Sequence, residues 1–242
     1  MNAETKTLKL SHLVGHLGQT PLLRELSKDC IHQIALNSKV VEYRKDVLVV
    51  KANEPADRIG FLLLGQLKVV HVGENYIESE ISFINAPIEF GELSIIDKQP
   101  RSASLVTNER CVIAWLDGTL FLEMILRNQE LNLSLLRSVS HKVRLANDQI
   151  FILSRKSAKS RLIAFFLRSK LRDVGGNVFA LKLPTQSELA SITNTTRETI
   201  SRNLKQLDDE GFIKRIKKEI IIPSIEKLET LLLELEHEDR SN

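Results

Sequence analysis

Charged side chains occupy one face of a predicted helix between Thr195 and Leu207. The apolar residues of this stretch fall four and three positions apart and so share the buried face: Ile200, Leu204 and Leu207. The opposite face carries polar and charged groups: Arg197, Glu198, Ser201 and Arg202. Such a face can hydrogen-bond to nucleic acid, but it is equally typical of the solvated side of an ordinary amphipathic helix.

The residues in front of this stretch predict a partner helix. Residues 186–192 predict a short helix, and residues 193–194 predict a tight turn. Either Thr195 or Thr196 can cap the second helix, and Thr195 with Glu198 has the spacing of a capping box. The order of helix, tight turn and helix indicates a DNA-reading unit.

A second group of residues has the chemistry to bind a small anion. Gly91 permits close approach of the backbone, residues 92–96 predict one helical turn with free N–H groups, and Arg101 follows. A guanidinium beside free N–H groups suits a phosphate. The alternative is that Arg101 pairs with Glu92 or Asp97 at the surface, since such ion pairs are common and weak.

Residues 129–153 predict one long helix with a dimerisation seam. Its apolar residues step by three and four: Leu136, Val139, Val143, Ala146, Ile150 and Leu153. This pattern is typical of a helix paired with its own copy and favours a homodimer. The alternative is a seam packed on the chain's own domain, a role for which other apolar residues remain: Leu133, Leu135, Leu145 and Phe151.

Charge is distributed unevenly along the 242 residues, which are long enough for two domains. The net charge is only +3, yet residues 155–223 hold fifteen Lys or Arg against seven Asp or Glu. A near-neutral N-terminal part joined to a basic module predicts that only the module meets a polyanion.

Composition also excludes several classes of protein. No apolar run approaches the ~20 residues that span a bilayer, and residues 1–11 lack the apolar core of a signal peptide, so we expect a cytoplasmic protein without a membrane partner. Cys30 and Cys111 are too few for an iron–sulfur or zinc site and are expected to be buried apolar residues. The chain shows no catalytic carboxylate pair, nucleophile–base pair or metal spacing. We therefore expect no enzyme, no metal site and no required cofactor.

Short β-type runs separated by turn residues precede the long helix: 47–50, 60–64, 67–70, 80–84, 103–107 and 112–116. They predict a compact antiparallel barrel or sandwich. After the long helix we expect a polar hinge at 154–160 and a helix over 161–172. Two strands around Lys217 and Lys218 follow, with these lysines placed to meet a phosphate backbone, and then an acidic helix over 224–238.

This order of elements resembles the Crp/Fnr family of bacterial transcription regulators, and within it the cyclic-AMP receptor branch. Residues 90–94 with 100–104 resemble the phosphate-binding cassette of cyclic-nucleotide-binding domains, and residues 197–202 resemble the family's recognition helix. The resemblance implies an α+β fold in three parts. An antiparallel β-roll would occupy residues 1–128, a dimerisation helix and hinge residues 129–154, and a winged helix–turn–helix with an acidic tail helix residues 155–242.

The resemblance implies a cyclic nucleotide, with cyclic AMP as the best match, bound in the β-roll as an allosteric effector. Arg101 would pair with the cyclic phosphate beside Ser102, and Glu92 would accept the ribose 2′-hydroxyl. The full implied set is Gly91, Glu92, Leu93, Arg101, Ser102 and Asn147. The adjacent Thr and Ser of the cyclic-AMP branch correspond here to Ala146 and Asn147, so the base stays open. The alternative is a vestigial pocket, in a regulator that is ligand-independent or answers another effector.

The resemblance also implies how DNA is read. Arginines would donate to guanine and Glu198 would accept from cytosine in a TGTGA-type half-site, whereas Ser201 matches the Fnr branch and leaves the half-site open. The implied DNA-binding set is Thr196, Arg197, Glu198, Ser201, Arg202, Lys205, Lys217 and Lys218. A dimer would bind an inverted repeat and could contact RNA polymerase. The alternative from another class is a nucleotide-binding module whose helix–turn–helix meets protein.

Overall fold

The computed structural model describes residues 3–72, 78–175 and 178–241. The chain divides into two compact units, the first ending at His141 and the second beginning at Lys142. This boundary falls inside the predicted long helix rather than at either of its ends. The three-part division at 128/129 and 154/155 stays a prediction.

Two antiparallel sheets build the first unit. Their strands are β1 (Ala3–Thr5), β2 (Ser38–Tyr43), β3 (Leu48–Val50), β4 (Arg58–Leu64), β5 (Gln66–Val72), β6 (Glu78–Asn85), β7 (Ile88–Phe90), β8 (Ser104–Thr107) and β9 (Cys111–Asp117). One sheet has the order β1-β2-β9-β4-β7 and the other β3-β8-β5-β6. The predicted antiparallel N-terminal architecture is confirmed.

Strand β4 shows how the first unit forms two apolar clusters. Ile59 and Phe61 point into a cluster shared with the helices, whereas Leu62 joins a second cluster that contains Phe90 and Trp115. Because successive side chains of a strand face opposite sides, one continuous apolar run serves both clusters. Gly60 lies where a larger side chain would meet the Phe90 ring.

The helices of the first unit pack on the sheet that contains β2, β4 and β9. They are α1 (Leu10–Leu17), α2 (Lys28–Leu36), α3 (Glu92–Ile96), α4 (Gly118–Arg127) and the first part of α5 (Gln129–Leu153). Ser27 caps α2 and Asp117 caps α4 through side-chain oxygens that accept main-chain N–H groups. Cys30 and Cys111 are buried free thiols, as expected, and burial raises the pKa of both.

The second unit is a winged helix–turn–helix, which confirms the predicted C-terminal fold. After the end of α5 come α6 (Ala158–Arg168), β10 (Arg172–Gly175), β11 (Val178–Lys182), α7 (Gln186–Ile192), α8 (Arg197–Asp209), β12 (Lys214–Ile216), β13 (Glu219–Ile222) and α9 (Ile225–Ser241). The sheet order is β10-β11-β13-β12. The fully buried core includes Leu162, Phe166, Leu189, Ile200 and Leu204.

Two predicted helix boundaries in this unit were wrong. The helix expected over 161–172 begins at Ala158, because Ser157 caps it by accepting the N–H of Ser160 at 3.1 Å. It ends at Arg168, and residues 172–175 form a strand paired with β11. The polar hinge expected over 154–160 is therefore reduced to residues 154–157.

The capping box expected at Thr195 and Glu198 is absent. Helix α8 begins at Arg197, so Glu198 is its second residue, one position short of the third residue that a capping box requires. Thr196 caps the helix instead, its Oγ1 accepting the N–H of Thr199 at 3.2 Å. A capping box does form on α7, between Thr185 and Glu188.

Most of the predicted dimer seam of α5 is exposed. Large apolar side chains along it are between 43 and 67% exposed: Leu136, Val143, Ile150 and Leu153. Ala146 is exposed as well, but Val139 packs against the core of the first unit. Leu133 and Leu145 are also exposed, so the expectation that they pack on the chain's own domain was wrong. Among the described helices, none has the length and apolarity needed to span a membrane.

Candidate functional site

Arg101 is buried beside Gly91, between α3 and β8. Its main chain is fixed on both sides, because its N–H donates to the carbonyl of Glu54 and its carbonyl accepts from the N–H of Asn53, each at 2.9 Å. In the side chain, Nη1 donates to the Gly91 carbonyl at 3.0 Å and Nη2 to the Arg58 carbonyl at 2.5 Å. A guanidinium held in this way has a defined position.

Burial and neighbouring charges set the electrostatics of Arg101. The residue is only 7% exposed, so it is not the surface residue that the ion-pair alternative supposed. Burial is the main cause that lowers the pKa of Arg101, and the charge of Arg58 acts in the same direction. The carboxylates of Asp57 and Glu92 raise it. An arginine stays protonated in such a setting, so the site holds a buried positive charge.

Gly91 and Glu92 complete what we call the Gly91–Arg101 site, formed by Gly91, Glu92 and Arg101. Gly91 has φ +80°, and a Cβ atom there would lie 2.2 Å from Nη1 of Arg101. Only glycine satisfies both constraints without strain. Glu92 begins α3 and is 2% exposed, which is unusual for a carboxylate.

The remaining predicted ligand residues lie outside this buried group. Ser102 and Leu93 are exposed neighbours of the site in the sequence. Asn147 lies on α5 in the second unit, with an exposed side chain, and its contact with a base stays a prediction.

Sequence reasoning missed an aromatic group next to the site. Phe90 and Trp115 pack edge to face, with ring centroids 5.3 Å apart, and the guanidinium carbon of Arg58 lies 4.4 Å from the Trp115 ring centroid. The indole N–H of Trp115 donates to the hydroxyl of Tyr43 at 3.0 Å. Trp115 is the only tryptophan of the chain, so its fluorescence reports on this site.

Sequence reasoning also missed Glu89, a carboxylate that is 2% exposed and lies two residues before Gly91. Its Oε2 accepts the N–H of Leu22 at 3.1 Å, and its Oε1 accepts the hydroxyl of Ser138 at 2.7 Å. Ser138 lies on α5, so a buried carboxylate links the strand in front of the site to the long helix. Three segments distant in sequence meet here, and no local pattern signals it.

The predicted DNA-binding side chains all lie at the surface of the second unit. Each of the eight predicted residues is exposed: Thr196, Arg197, Glu198, Ser201, Arg202, Lys205, Lys217 and Lys218. A groove of about 840 Å³ runs beside α8 and is lined by Gln186, Arg197, Glu198, Ser201, Arg202, Lys205, Gln206, Asp209 and Glu210. The structure thus groups the recognition-helix residues on one open face, opposite the buried Ile200, Leu204 and Leu207.

The wing presents its two lysines at the tip of a two-residue turn. Ile216 pairs with Glu219, which leaves Lys217 and Lys218 as the turn. Lys217 has φ +54°, a conformation that glycine or asparagine usually supplies in such hairpins. A lysine held there is exposed and suited to a phosphate backbone.

Two ranges of the chain match known protein domains, one in the N-terminal part and one in the C-terminal part. Residues 40–128 match the cyclic nucleotide-binding domain, and residues 160–231 match the Crp-like helix-turn-helix domain. The chain belongs to the Crp/Fnr family. The relatives that align along three quarters or more of the chain are transcriptional regulators, and this Crp/Fnr protein is a DNA-binding transcription regulator rather than an enzyme.

Relatives of this Crp/Fnr chain align along most of its length. A CRP-like cAMP-activated global transcriptional regulator from Mycobacterium tuberculosis is 23% identical over 215 residues, covering 88% of this chain and 96% of the relative. A cyclic AMP receptor protein from Thermus thermophilus is 33% identical over 125 residues, covering 52% and 56%. The structure of a CooA variant from Carboxydothermus hydrogenoformans, 17% identical, covers 95% of this chain and 98% of its own with a TM-score of 0.65. That last likeness shows the shared fold alone.

Proposed function

We propose that this Crp/Fnr regulator is a homodimer whose affinity for DNA is controlled by a cyclic nucleotide bound at the Gly91–Arg101 site, with cyclic AMP as the favoured ligand. The observation that carries the proposal is the buried guanidinium of Arg101, which donates a hydrogen bond to the carbonyl of Gly91 and packs against its Cα. The M. tuberculosis relative is described as cAMP-activated, which supports the choice of ligand.

The chemistry of the site favours an anionic ligand. Two neutral main-chain carbonyls now accept from Nη1 and Nη2 of Arg101. A guanidinium forms its strongest hydrogen bonds with anionic oxygens, which it can bind in pairs, so a phosphate is a better partner for Arg101 than these carbonyls are. The buried carboxylate of Glu92 is suited to accept a ribose hydroxyl, which distinguishes a nucleotide from free phosphate.

At the DNA, we assign the reading of bases to α8 and the contacts with phosphates to its flanks. Arg197 and Arg202 donate to guanine and Glu198 accepts from cytosine in a TGTGA-type half-site. Lys205, Lys217 and Lys218 contact the phosphate backbone. The exposed seam of α5 pairs two copies, so the target is an inverted repeat with half-sites about one helical turn apart. The bound dimer acts in the cytoplasm and contacts RNA polymerase.

Calorimetry on the full chain tests the ligand. Wild-type protein is titrated with cyclic AMP, cyclic GMP and cyclic di-GMP, and Trp115 fluorescence provides a second readout. We expect cyclic AMP to bind, and Arg101→Gln to weaken it roughly 100-fold, because two charge-assisted hydrogen bonds are lost. Arg24→Gln removes an exposed arginine of the same unit and should leave binding unchanged.

Two results would contradict the proposal: none of the three nucleotides binds, or Arg101→Gln binds as the wild type does. A regulator that answers another effector is the second candidate. It is favoured by Ala146, which offers no side-chain hydrogen bond where the cyclic-AMP branch has one. A nucleotide other than cyclic AMP that binds in an Arg101-dependent manner would select this candidate.

A further inference from the structure

Charged side chains around Phe151 hold the last turns of α5 to α6 and α9 within the second unit. The guanidinium carbon of Arg155 lies 4.2 Å from the centroid of the Phe151 ring, and that of Arg168 lies 4.0 Å from it. Arg155 follows the end of α5 and Arg168 ends α6. A cation placed over an aromatic ring is attracted by the negative face of the ring, and more strongly where the cation is desolvated.

Each of these arginines also pairs with a carboxylate. Arg168 Nη1 lies 3.5 Å from Asp148 Oδ1 of α5, and Arg155 Nη1 forms a short ion pair with Glu236 Oε1 of α9. The Arg155 and Glu236 side chains are only 20% and 22% exposed, so solvent screens this pair less than an ordinary surface pair. We call the group of Asp148, Phe151, Arg155, Arg168 and Glu236 the Phe151 cluster.

A second set of contacts connects the segment after α5 to the turn before the recognition helix. Arg161 of α6 donates from Nη1 to the carbonyls of Arg155 and Lys156, at 3.1 and 2.8 Å. Its Nε donates to the carbonyl of Thr193 at 2.6 Å, in the turn between α7 and α8. One guanidinium thus connects the segment that follows α5 with the turn that precedes α8.

Helix α9 supplies Glu236, the member of the Phe151 cluster that lies outside the matched family domains. The match to the Crp-like helix-turn-helix domain ends at residue 231, and Glu236 lies beyond it. Helix α9 packs on α6 through buried residues such as Leu228 and Leu232. That packing sets the position from which Glu236 reaches Arg155.

We propose that Glu236 is a positioning residue for DNA recognition. By holding Arg155 on Phe151, it fixes the end of α5 to α6 and, through Arg161, to the turn before α8. A displacement of α5 then reaches the recognition helix instead of being absorbed in residues 154–157. The transmission of an effector signal rests on the proposed nucleotide control, whereas the placement of α8 by Glu236 rests only on DNA binding.

The experiment compares Glu236→Gln with Glu234→Gln in the full chain. Both variants remove one negative charge from α9, but Glu234 is exposed and lies outside the Phe151 cluster. Amide hydrogen exchange of residues 150–157 is followed by mass spectrometry, and DNA affinity by fluorescence anisotropy at 25 °C. Circular dichroism verifies that each variant is folded at that temperature.

We expect Glu236→Gln to speed exchange at residues 150–157 and to weaken DNA binding, each by about fivefold, while Glu234→Gln changes neither. Arg155→Gln removes the same ion pair from its other side and should show the same direction of change. The double variant, Glu236→Gln with Arg155→Gln, should weaken DNA binding by less than the sum of the two single effects, because the two residues act as one pair.

The proposal is overturned if Glu236→Gln shows the same amide hydrogen exchange at residues 150–157 and the same DNA affinity as the wild type. It is also overturned if the variant only lowers the melting temperature, since that is the effect of a purely structural residue. If nucleotides leave wild-type DNA affinity unchanged while Glu236→Gln still weakens it, the nucleotide control fails and the positioning role stands.

Discussion

Gly91 meets two demands at once, a positive φ and the close approach of Arg101. In Gly91→Ala the added methyl would displace the Arg101 guanidinium, whose Nη1 lies 2.2 Å from the Cβ position. We expect stability to fall by about 1 kcal/mol, because a left-handed conformation costs a residue with a side chain roughly that much. We also expect cyclic-nucleotide affinity to fall by at least roughly tenfold, as measured by calorimetry.

Gly211→Ala is the matched control for Gly91. Gly211 has φ +77°, but nothing lies within 4 Å of its Cβ position. This variant should lose similar stability and keep its nucleotide affinity. An equal loss of affinity in both variants would show that the effect on Arg101 is not the cause.

Replacing Asn203 on α8 should stabilise the second unit. Asn203 faces the core from α8, is 8% exposed, and its Nδ2 is a buried nitrogen without a hydrogen-bond partner in the described structure. Leucine has a similar size and brings no buried donor. Asn203→Leu should therefore raise the free energy of unfolding by about 1 kcal/mol in urea denaturation. A loss of stability would mean that the amide is satisfied in solution.

The residues of the site were predictable from the sequence only where they lie close together along it. Gly91, Glu92 and Arg101 lie within eleven residues and have recognisable chemistry. Glu89 meets Leu22 across 67 positions and Ser138 across 49, and Arg58 meets Trp115 only because β4 pairs with β9. Contacts of this kind depend on the register of the sheet and leave no local signal.

The start of α8 provides a direct test of helix capping. Thr196→Ala should lower the free energy of unfolding by about 1 kcal/mol in urea denaturation, because the cap to the Thr199 N–H is lost. Thr195→Ala, one residue earlier, should change it by less than about half of that. The reverse order would restore Thr195 as the capping residue that its spacing to Glu198 suggested.

The bounds of the long, strongly periodic helix were predicted closely from the sequence. The short elements were not, because their formation depends on tertiary contacts. Helix α5 has the predicted bounds of 129 and 153 because its apolar period continues without interruption. Helices α1 and α4 were missed, since α4 follows β9 directly and begins only where Asp117 caps it. Residues 172–175 read as a helix end but form a strand, because β11 offers a partner.

The exposed seam of α5 predicts the oligomeric state of the protein. Ile150 is 67% exposed, so Ile150→Glu is tolerated by the monomer fold but places a charge in the proposed dimer interface. We expect this variant to sediment as a monomer in analytical ultracentrifugation, where the wild type sediments as a dimer. Leu233→Glu is the control, since Leu233 on α9 is 58% exposed and lies outside the seam.

A dimeric Ile150→Glu variant would show that copies pair through another surface. The seam could be predicted from sequence because an exposed heptad pattern is a local property. Val139 could not be placed in this way, since its packing against the first core is set by how α5 meets the sheets.

Coupling between nucleotide binding and DNA binding is measured with the wild type and a variant that lacks the proposed phosphate ligand. Wild-type protein and Arg101→Gln are titrated against the inverted-repeat duplex that the wild type selects from a random pool, with and without saturating cyclic AMP. We expect the nucleotide to raise wild-type DNA affinity by roughly tenfold, within the usual range of allosteric coupling, and to leave Arg101→Gln unchanged. The same wild-type DNA affinity with and without the nucleotide would show that the nucleotide does not control DNA binding.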